Sequence, residues 1–307
     1  MTIIECVPNV SEGRRTEVVQ ALVEAMSRSP GVGLLDASSD PSHNRSVFTL
    51  VGAARALKAA LLTLYALAIE RIDLRTHRGA HPRIGAVDVV PFVPLQDATF
   101  EDCITLAREL GHSVAERFGL PVYLYEAAAL RPDRSSLDEI RRGQFEGLHT
   151  KLAQPGWEPD FGPNVPHPSA GATVIGARRL LIAYNVNLDT DQFDVARQIA
   201  AAVRASGGGL RHVKAMGVDL VHRRLVQVSM NLTDYEETTL DTVFDAVKRE
   251  AERRGVAIVD SEIVGMVPAR ALIEAGVRYL QLEGFRLEQV LERRLSSTLT
   301  LPRRPSS

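Results

Sequence analysis

The chain is organised around residues 77–94, HRGAHPRIGAVDVVPFVP, where a polar loop runs directly into an apolar segment. Residues 87–94 are apolar except for one aspartate and predict a buried strand. The loop before that strand contains two histidines and two arginines: His77, Arg78, His81 and Arg83. Gly79 and Gly85 permit backbone angles that other residues avoid, and Pro82 restricts its own φ and the residue before it.

His81 is therefore expected on a stiffened backbone at the edge of the predicted core. Loops at strand ends often carry binding and catalytic groups, and an imidazole titrates near neutral pH. The alternative is a well-capped turn whose charged groups face water. We favour a functional loop, because the histidines and arginines crowd around two glycines and a proline.

The segments around this loop predict an α+β unit. Strands are predicted at residues 3–10, 32–37, 46–52, 87–93 and 122–125, and helices at 14–29, 53–72 and 99–118. The order β-α-β-β-α-β-α-β is that of a ferredoxin-like unit with an added helix and strand.

Residues 130–178 differ from the rest, because they contain six prolines and only two short helical patterns, at 137–142 and 145–152. A long irregular run inside a compact chain is usually functional or disordered. We interpret residues 157–176, WEPDFGPNVPHPSAGATVIG, as a binding loop that also links two domains. A plain covering loop is the alternative.

The pattern then restarts and predicts a second ferredoxin-like unit. Strands are predicted at 179–188, 213–220, 225–232 and 256–264, helices at 192–206, 240–254, 269–279 and 285–295, a turn at His222 and Arg223, and a frayed tail at 302–307. We therefore expect an α+β chain of two ferredoxin-like α/β subdomains, residues 1–178 and 179–307, each with an antiparallel or mixed sheet and helices on one face.

Composition narrows the class of protein. The 307 residues, 45% hydrophobic and 24% charged, suit a globular chain of about two domains. A net charge of −2 implies no nucleic-acid partner. The two cysteines, Cys6 and Cys103, lack the spacing of a thiolate metal site and suggest a reducing compartment. The chain shows neither a signal-peptide pattern nor an apolar run long enough for a membrane span, so we expect a cytoplasmic protein without membrane contact.

Several segments resemble the formiminotransferase domain of formiminotransferase-cyclodeaminase. They are ECVPNVSEGR, LLDASSDPSHNRSVFTLVG, the 77–94 stretch, PVYLYEAAA, WEPDFGP, GATVIGARRLLIAYNVNL, NLTDYEETTLDTVFDAVKREAERRG and IVGMVPARALIEA. The match is collinear to about Leu282. It implies transfer of the formimino group of N-formimino-L-glutamate to N5 of tetrahydrofolate in histidine degradation, with folate as co-substrate, no metal, and a homodimer.

The resemblance also implies site residues. The family's catalytic histidine falls on His81, and a single group with a pKa near the working pH can take a proton from N5 and return it to the leaving nitrogen. Arg45 and Arg83 lie in matching motifs and suit substrate carboxylates, while Asp88 either orients an imidazole or caps the loop. The family's folate-binding run corresponds to Gly162, Pro163, Asn164, Val165, Pro166, His167, Pro168, Ser169, Ala170 and Gly171.

This chain departs from the family pattern inside those motifs. Ala80 stands where the family has a glutamate before the catalytic histidine, Ala170 stands where it has a tryptophan, and His167 replaces an apolar residue. Two hypotheses follow. The chain is an active formimidoyltransferase, or it is a diverged paralogue that binds folate or another small ligand without formimino transfer.

Overall fold

The computed structural model describes residues 2–220 and 223–298. Contacts within the chain divide it into two compact units, Met1–Leu180 and Leu181–Ser307. Within the described residues, no helix combines the length and the apolar character that crossing a membrane requires.

The first unit alternates strands and helices. Its strands are β1 (Ile4–Cys6), β2 (Asn9–Val10), β3 (Val32–Asp40), β4 (Arg45–Gly52), β5 (Val87–Pro94), β6 (Val122–Glu126) and β7 (Thr173–Ala177). Its helices are α1 (Thr16–Ser27), α2 (Ala54–Arg71), α3 (Phe100–Phe118), α4 (Leu137–Arg141) and α5 (Gln144–Leu152), with a 3₁₀ turn at Pro132–Arg134.

The sheet of this unit is mixed. β3 pairs with β4, and both β1 and β2 lie between β4 and β5, with every one of these pairs antiparallel. β1 and β2 form one strand that is interrupted next to Pro8, a residue without a backbone N–H to donate. This strand order is ferredoxin-like and confirms the predicted fold class. β7 and β6 extend the sheet beyond β5 in parallel.

One predicted irregular segment is in fact a central strand. We predicted residues 130–178 to lack strands, but residues 173–177 form β7, which lies between β5 and β6. All five residues of β7 are buried. A strand buried on both faces reads as a short unbroken run of apolar and small residues, so it gives no alternating signal. The binding-loop interpretation therefore applies only to the residues before Thr173.

We predicted helices on one face of each sheet, but in the first unit helices cover both faces. α1, α2 and α3 share one apolar core with the sheet. On the opposite face, residues from α4 and α5 pack with Tyr123, Tyr125 and Val174. This second layer continues into the loop that precedes β5, through Ile84 in the same cluster.

The second unit is a smaller α/β sandwich. Its elements are β8 (Ile182–Leu188), α6 (Phe193–Val203), β9 (Val213–Leu220), β10 (Leu225–Leu232), α7 (Leu240–Glu252), β11 (Ile258–Val264), α8 (Ala269–Tyr279) and α9 (Leu291–Thr298). The sheet order β11-β8-β10-β9 is antiparallel throughout and again ferredoxin-like. The predicted final helix is a 3₁₀ turn followed by α9. His222 and the predicted tail, residues 302–307, lie outside the described residues.

Candidate active site

His77 anchors the loop that precedes β5. Its ring is buried, and Nδ1 accepts a hydrogen bond from Nε of Arg83 at 3.0 Å. Because an arginine N–H always donates, Nδ1 is unprotonated and Nε2 carries the proton, which it donates to the carbonyl oxygen of Asn44 at 2.9 Å. Burial lowers the pKa of His77. This histidine is therefore a neutral structural link between the loop and the start of β4.

The buried guanidinium of Arg83 is fully engaged inside the first unit. Besides its bond to the His77 ring, it donates to the His77 carbonyl oxygen at 3.4 Å, to Gln144 at 3.2 Å, and to both carboxylate oxygens of Glu146 at 2.7 and 2.8 Å. These bonds lower the pKa of Glu146 to about 2. The predicted contact between Arg83 and a substrate would require Glu146, whose side chain is 60% exposed, to leave.

Asp88 closes the other end of the loop. Its Oδ1 accepts hydrogen bonds from the backbone N–H groups of Ile84 at 2.7 Å and Gly85 at 3.3 Å. Its Oδ2 accepts from Nε of Arg141 at 2.9 Å and also from Nη2 of that residue. Of the two roles considered for Asp88, the structure shows loop capping. The carboxylate is 2% exposed, and the ion pair with Arg141 ties α4 to β5.

His81 lies half-buried in a positively charged setting. Nη1 of Arg45 donates a short hydrogen bond to Nε2 of His81, and the ring of His43 lies 5.8 Å from the His81 ring between centroids. Burial lowers the pKa of His81 to about 3, and the charges of Arg45, Arg141 and His43 contribute to the decrease. The imidazole is therefore neutral at physiological pH, with its Nε2 lone pair turned toward Arg45.

Arg45 begins β4 and is itself half-buried. Burial and repulsion by Arg141 lower the pKa of Arg45 to about 10, although Asp88 and Asp40 act in the opposite direction. Among the residues that the structure describes, none accepts a hydrogen bond from Nε or Nη2 of Arg45. A partly buried guanidinium with unused donors is suited to bind a carboxylate in a bidentate manner.

The predicted folate-binding run lies against the loop of His81. Ala86 N–H donates to the carbonyl oxygen of Ala170 at 3.0 Å, and Ala172 N–H donates to that of Ile84 at 2.9 Å. Gly171 has φ +71°, and a Cβ at this position would lie 2.1 Å from the Ile84 oxygen, so the close approach requires glycine. The structure thus brings the two predicted motifs together within the first unit.

The run itself has an exposed and a buried part. Residues 163–165 are exposed, and Val165 is 57% exposed. At the other end, His167 and Gly171 exchange two backbone hydrogen bonds, and Nδ1 of His167 accepts from Ala170 N–H at 3.1 Å. Ala170 is 1% exposed and belongs to the apolar core. Its methyl group is therefore not available to stack on a ligand.

Sequence reasoning missed Arg141, His43 and Glu146. Each comes from a different segment and reaches the loop only through the fold. Arg141 lies in the charged run EIRRGQ, which is typical of a solvated helix face. Glu146 lies in an equally ordinary amphipathic pattern. His43 was visible only as part of a turn, SSDPSHN.

The side chains around His81 are suited to proton transfer. Their arrangement places one neutral imidazole, able to accept and return a proton, beside two guanidinium groups, Arg45 and Arg141. Such a combination suits proton transfer at a substrate that also carries an anionic group. Within residues 2–220 and 223–298 there is no cluster of histidine, cysteine and carboxylate side chains that could hold a metal ion.

Comparison with known proteins finds similarity to one family over nearly the whole chain. Residues 3–178 match the family described as formiminotransferase domain, N-terminal subdomain, and residues 183–295 match the formiminotransferase domain. The glutamate formimidoyltransferase of Streptococcus pyogenes serotype M1 is 47% identical over 294 residues, which cover 95% of this chain and 98% of that protein. The protein of the same name from Thermoplasma acidophilum is 48% identical over 304 residues, 98% of this chain and all of that protein. The formimidoyltransferase-cyclodeaminase of Rattus norvegicus is 43% identical over 287 residues, 92% of this chain and 53% of that protein. The chain therefore belongs to the formiminotransferase domain family.

Proposed function

We propose that this chain is a glutamate formimidoyltransferase, which transfers the formimino group of N-formimino-L-glutamate to N5 of tetrahydrofolate in histidine degradation. The observation that carries the proposal is the identity of 47% and 48%, over nearly the whole chain, to two proteins that bear the name of this activity. We further propose that it acts as a cytoplasmic homodimer, as the family resemblance implies.

The proposed reaction needs one proton to be moved twice. N5 of the folate attacks the formimino carbon, a C–N bond forms, and Nε2 of His81 accepts the proton from N5. The bond between that carbon and the glutamate nitrogen then breaks, and His81 returns the proton to this nitrogen. Arg45 is the residue we propose to bind a carboxylate of the glutamate. Arg83 and Asp88 hold the loop, and direct substrate contact by either one stays a prediction.

The folate would be held by residues 162–171. Their exposed part, which includes Pro163 and Val165, offers an apolar surface of the kind that a flat ring can cover. His167 adds a half-buried ring at the edge of this surface. Ala170 and Gly171 would support the run from beneath, because both are buried. Because Ala170 stands where the family has a tryptophan, a methyl group takes the place of a large ring beneath residues 162–171 in this chain.

The direct test is transfer itself. The purified chain is incubated with N-formimino-L-glutamate and tetrahydrofolate, and the formation of glutamate and 5-formiminotetrahydrofolate is followed over time. We expect equal amounts of the two products. If the protein binds folate but forms neither product, the diverged-paralogue hypothesis is the better one.

We expect a folate analogue to change the fluorescence of Trp157, the only tryptophan of the chain. Trp157 packs against the Lys151 ammonium, 3.9 Å from the ring centroid, and its carbonyl oxygen accepts from the Tyr123 hydroxyl at 2.6 Å. The residue lies five positions before the proposed folate run, so ordering of that run should alter its surroundings. The measurement is an emission titration with 5-formyltetrahydrofolate. Absence of any binding at millimolar analogue, in this titration and in calorimetry, would contradict the folate site.

The Ala80→Glu variant tests the departure from the family pattern. Ala80 is exposed, and its N–H donates to the Ser42 carbonyl oxygen at 3.1 Å. A carboxylate within about 4–6 Å of an imidazole favours the charged form, so the introduced carboxylate should raise the pKa of His81 from about 3. We expect formimino transfer that equals or exceeds that of the unmodified chain. Ala80→Gln, which adds the same bulk without charge, is the matched control.

The same pair of variants separates the two hypotheses. An active chain that is insensitive to Ala80→Glu shows that the missing glutamate is irrelevant to transfer. An inactive chain whose activity is not restored by this substitution favours the paralogue. The specific observation behind that second candidate is the absence of a carboxylate at position 80, directly before His81.

A further inference from the structure

The base proposed for formimino transfer is blocked in the structure. The Nε2 lone pair of His81, which would have to accept the proton, already accepts a hydrogen bond from Nη1 of Arg45. An arginine cannot give up that proton under ordinary conditions. His81 can therefore act as a base through Nε2 only after the Arg45 guanidinium has moved away from it.

The charged groups around His81 all disfavour its protonation. Arg45 approaches from β4, Arg141 from α4, and His43 from the turn before β4. The two carboxylates that act on Arg45, Asp88 and Asp40, already have partners. Asp88 is paired with Arg141, and Asp40 lies 3.2 Å from His43 and accepts hydrogen bonds from two backbone N–H groups of its own turn. Both carboxylates therefore already have partners other than Arg45.

The unused donors point to an anion as the missing partner. In the described part of the chain, no group accepts a hydrogen bond from Nε or Nη2 of Arg45 or from Nη1 of Arg141. Repulsion between these two guanidinium groups contributes to the low pKa of Arg45. A carboxylate that accepted hydrogen bonds from both would satisfy these donors and remove the repulsion.

We propose that a carboxylate of the formimino donor, on binding Arg45 and Arg141, draws the Arg45 guanidinium off Nε2 of His81 and so releases the imidazole to act as a base. The inference rests on the proposed function and adds a role for the substrate in activating its own base. In this proposal both arginines contact the carboxylate, and the movement of Arg45 is what frees the imidazole.

The strengths of the competing hydrogen bonds favour this exchange. A hydrogen bond from a guanidinium to a carboxylate joins two charged groups and can be bidentate. A hydrogen bond from a guanidinium to a neutral imidazole involves only one charged group. The bound carboxylate also offsets the positive field of Arg45 and Arg141 at His81. The site consequently selects amidines that carry a carboxylate. A neutral amidine such as formamidine would leave His81 blocked.

The test measures the protonation of His81 without any turnover. Imidazole resonances of the full-length protein are titrated by NMR, with the His81 signals assigned from their loss in His81→Gln. L-Glutamate, which has the carboxylates but no formimino group, is the probe. We expect the pKa of His81 to lie well below 6.5 in the free protein and to rise by about 1–3 units in saturating glutamate, the range expected for a nearby opposite charge.

Variants separate this role from a merely structural one. In Arg45→Gln the pKa of His81 should be higher without glutamate than in the unmodified chain and should no longer respond to glutamate. In Arg141→Gln it should rise moderately, and glutamate should bind more weakly. Arg55→Gln, an exposed arginine on α2, is the control and should behave like the unmodified chain.

Three results would overturn the inference. They are glutamate binding that leaves the pKa of His81 unchanged, failure of glutamate to bind at tens of millimolar, and an Arg45→Gln variant in which the pKa of His81 does not rise. Each is distinct from failure of the proposed function. A chain with no transfer activity can still show the glutamate-dependent shift, and an active chain can lack it.

Discussion

Replacing His81 with alanine should lower formimino transfer by about a hundredfold or more while the protein stays folded, because general acid–base groups contribute typically ~10²–10⁴-fold. The ring is half-buried, and its Nε2 accepts a hydrogen bond from Arg45. Loss of the ring removes the group that takes the proton from N5 and returns it to the glutamate nitrogen. The measurement is the initial rate of 5-formiminotetrahydrofolate formation at saturating substrates.

The control for His81→Ala must be a histidine whose side chain does not help to hold the loop in place. His77 is unsuitable, because its buried ring accepts a hydrogen bond from Arg83 and donates to the Asn44 backbone. His112 on α3 has a side chain that is 68% exposed, so His112→Ala should retain the original rate. Circular dichroism and the melting temperature should be unchanged in both variants. Equal rates for His81→Ala and the unmodified chain would end the assignment of His81 as the catalytic residue.

Replacing Asp88 with asparagine should have the largest effect on stability, about 3–5 kcal/mol, which is the usual loss when one partner of a buried ion pair is removed. The carboxylate is 2% exposed and Arg141 is 9% exposed, so the remaining guanidinium would be a buried charge without its counter-ion. The new amide NH₂ would also face the donors of Arg141. The free energy of unfolding is obtained from urea titrations followed by Trp157 emission, since this residue lies in the first unit.

Two further variants show whether the ion pair is the cause. Asp133→Asn breaks the exposed pair between Asp133 and Arg131 and should leave the unfolding curve in place, because exposed pairs contribute little. The double variant Asp88→Asn with Arg141→Met removes both buried charges and should regain much of the lost stability. An Asp88→Asn variant as stable as Asp133→Asn would refute this account of how the loop is held.

The order of the helices and strands, and the position of the loop before β5, could be predicted from the amino-acid sequence. Apolar spacing predicted the strands and helices of both ferredoxin-like units, with boundaries mostly within a few residues of those observed. These features are local, because the period of a strand or helix is written in neighbouring residues. The character of the 77–86 loop is local as well, since it follows from Gly79, Pro82 and Gly85. The resemblance then gave His81 its expected role, which the experiments above are designed to test.

The side chains that surround His81, and the arginines that are paired with other residues, could be identified from the folded structure alone. Arg141 meets Asp88 across 53 positions of sequence, and Arg83 meets Glu146 across 63. No local pattern distinguishes these arginines from solvated ones. The same limit hid β7, whose burial on both faces depends on distant neighbours and leaves no periodicity. Hydrogen bonds and electrostatic interactions depend on distances in three dimensions. The hydrogen bond from Arg45 to Nε2 of His81 could therefore not be predicted from the sequence.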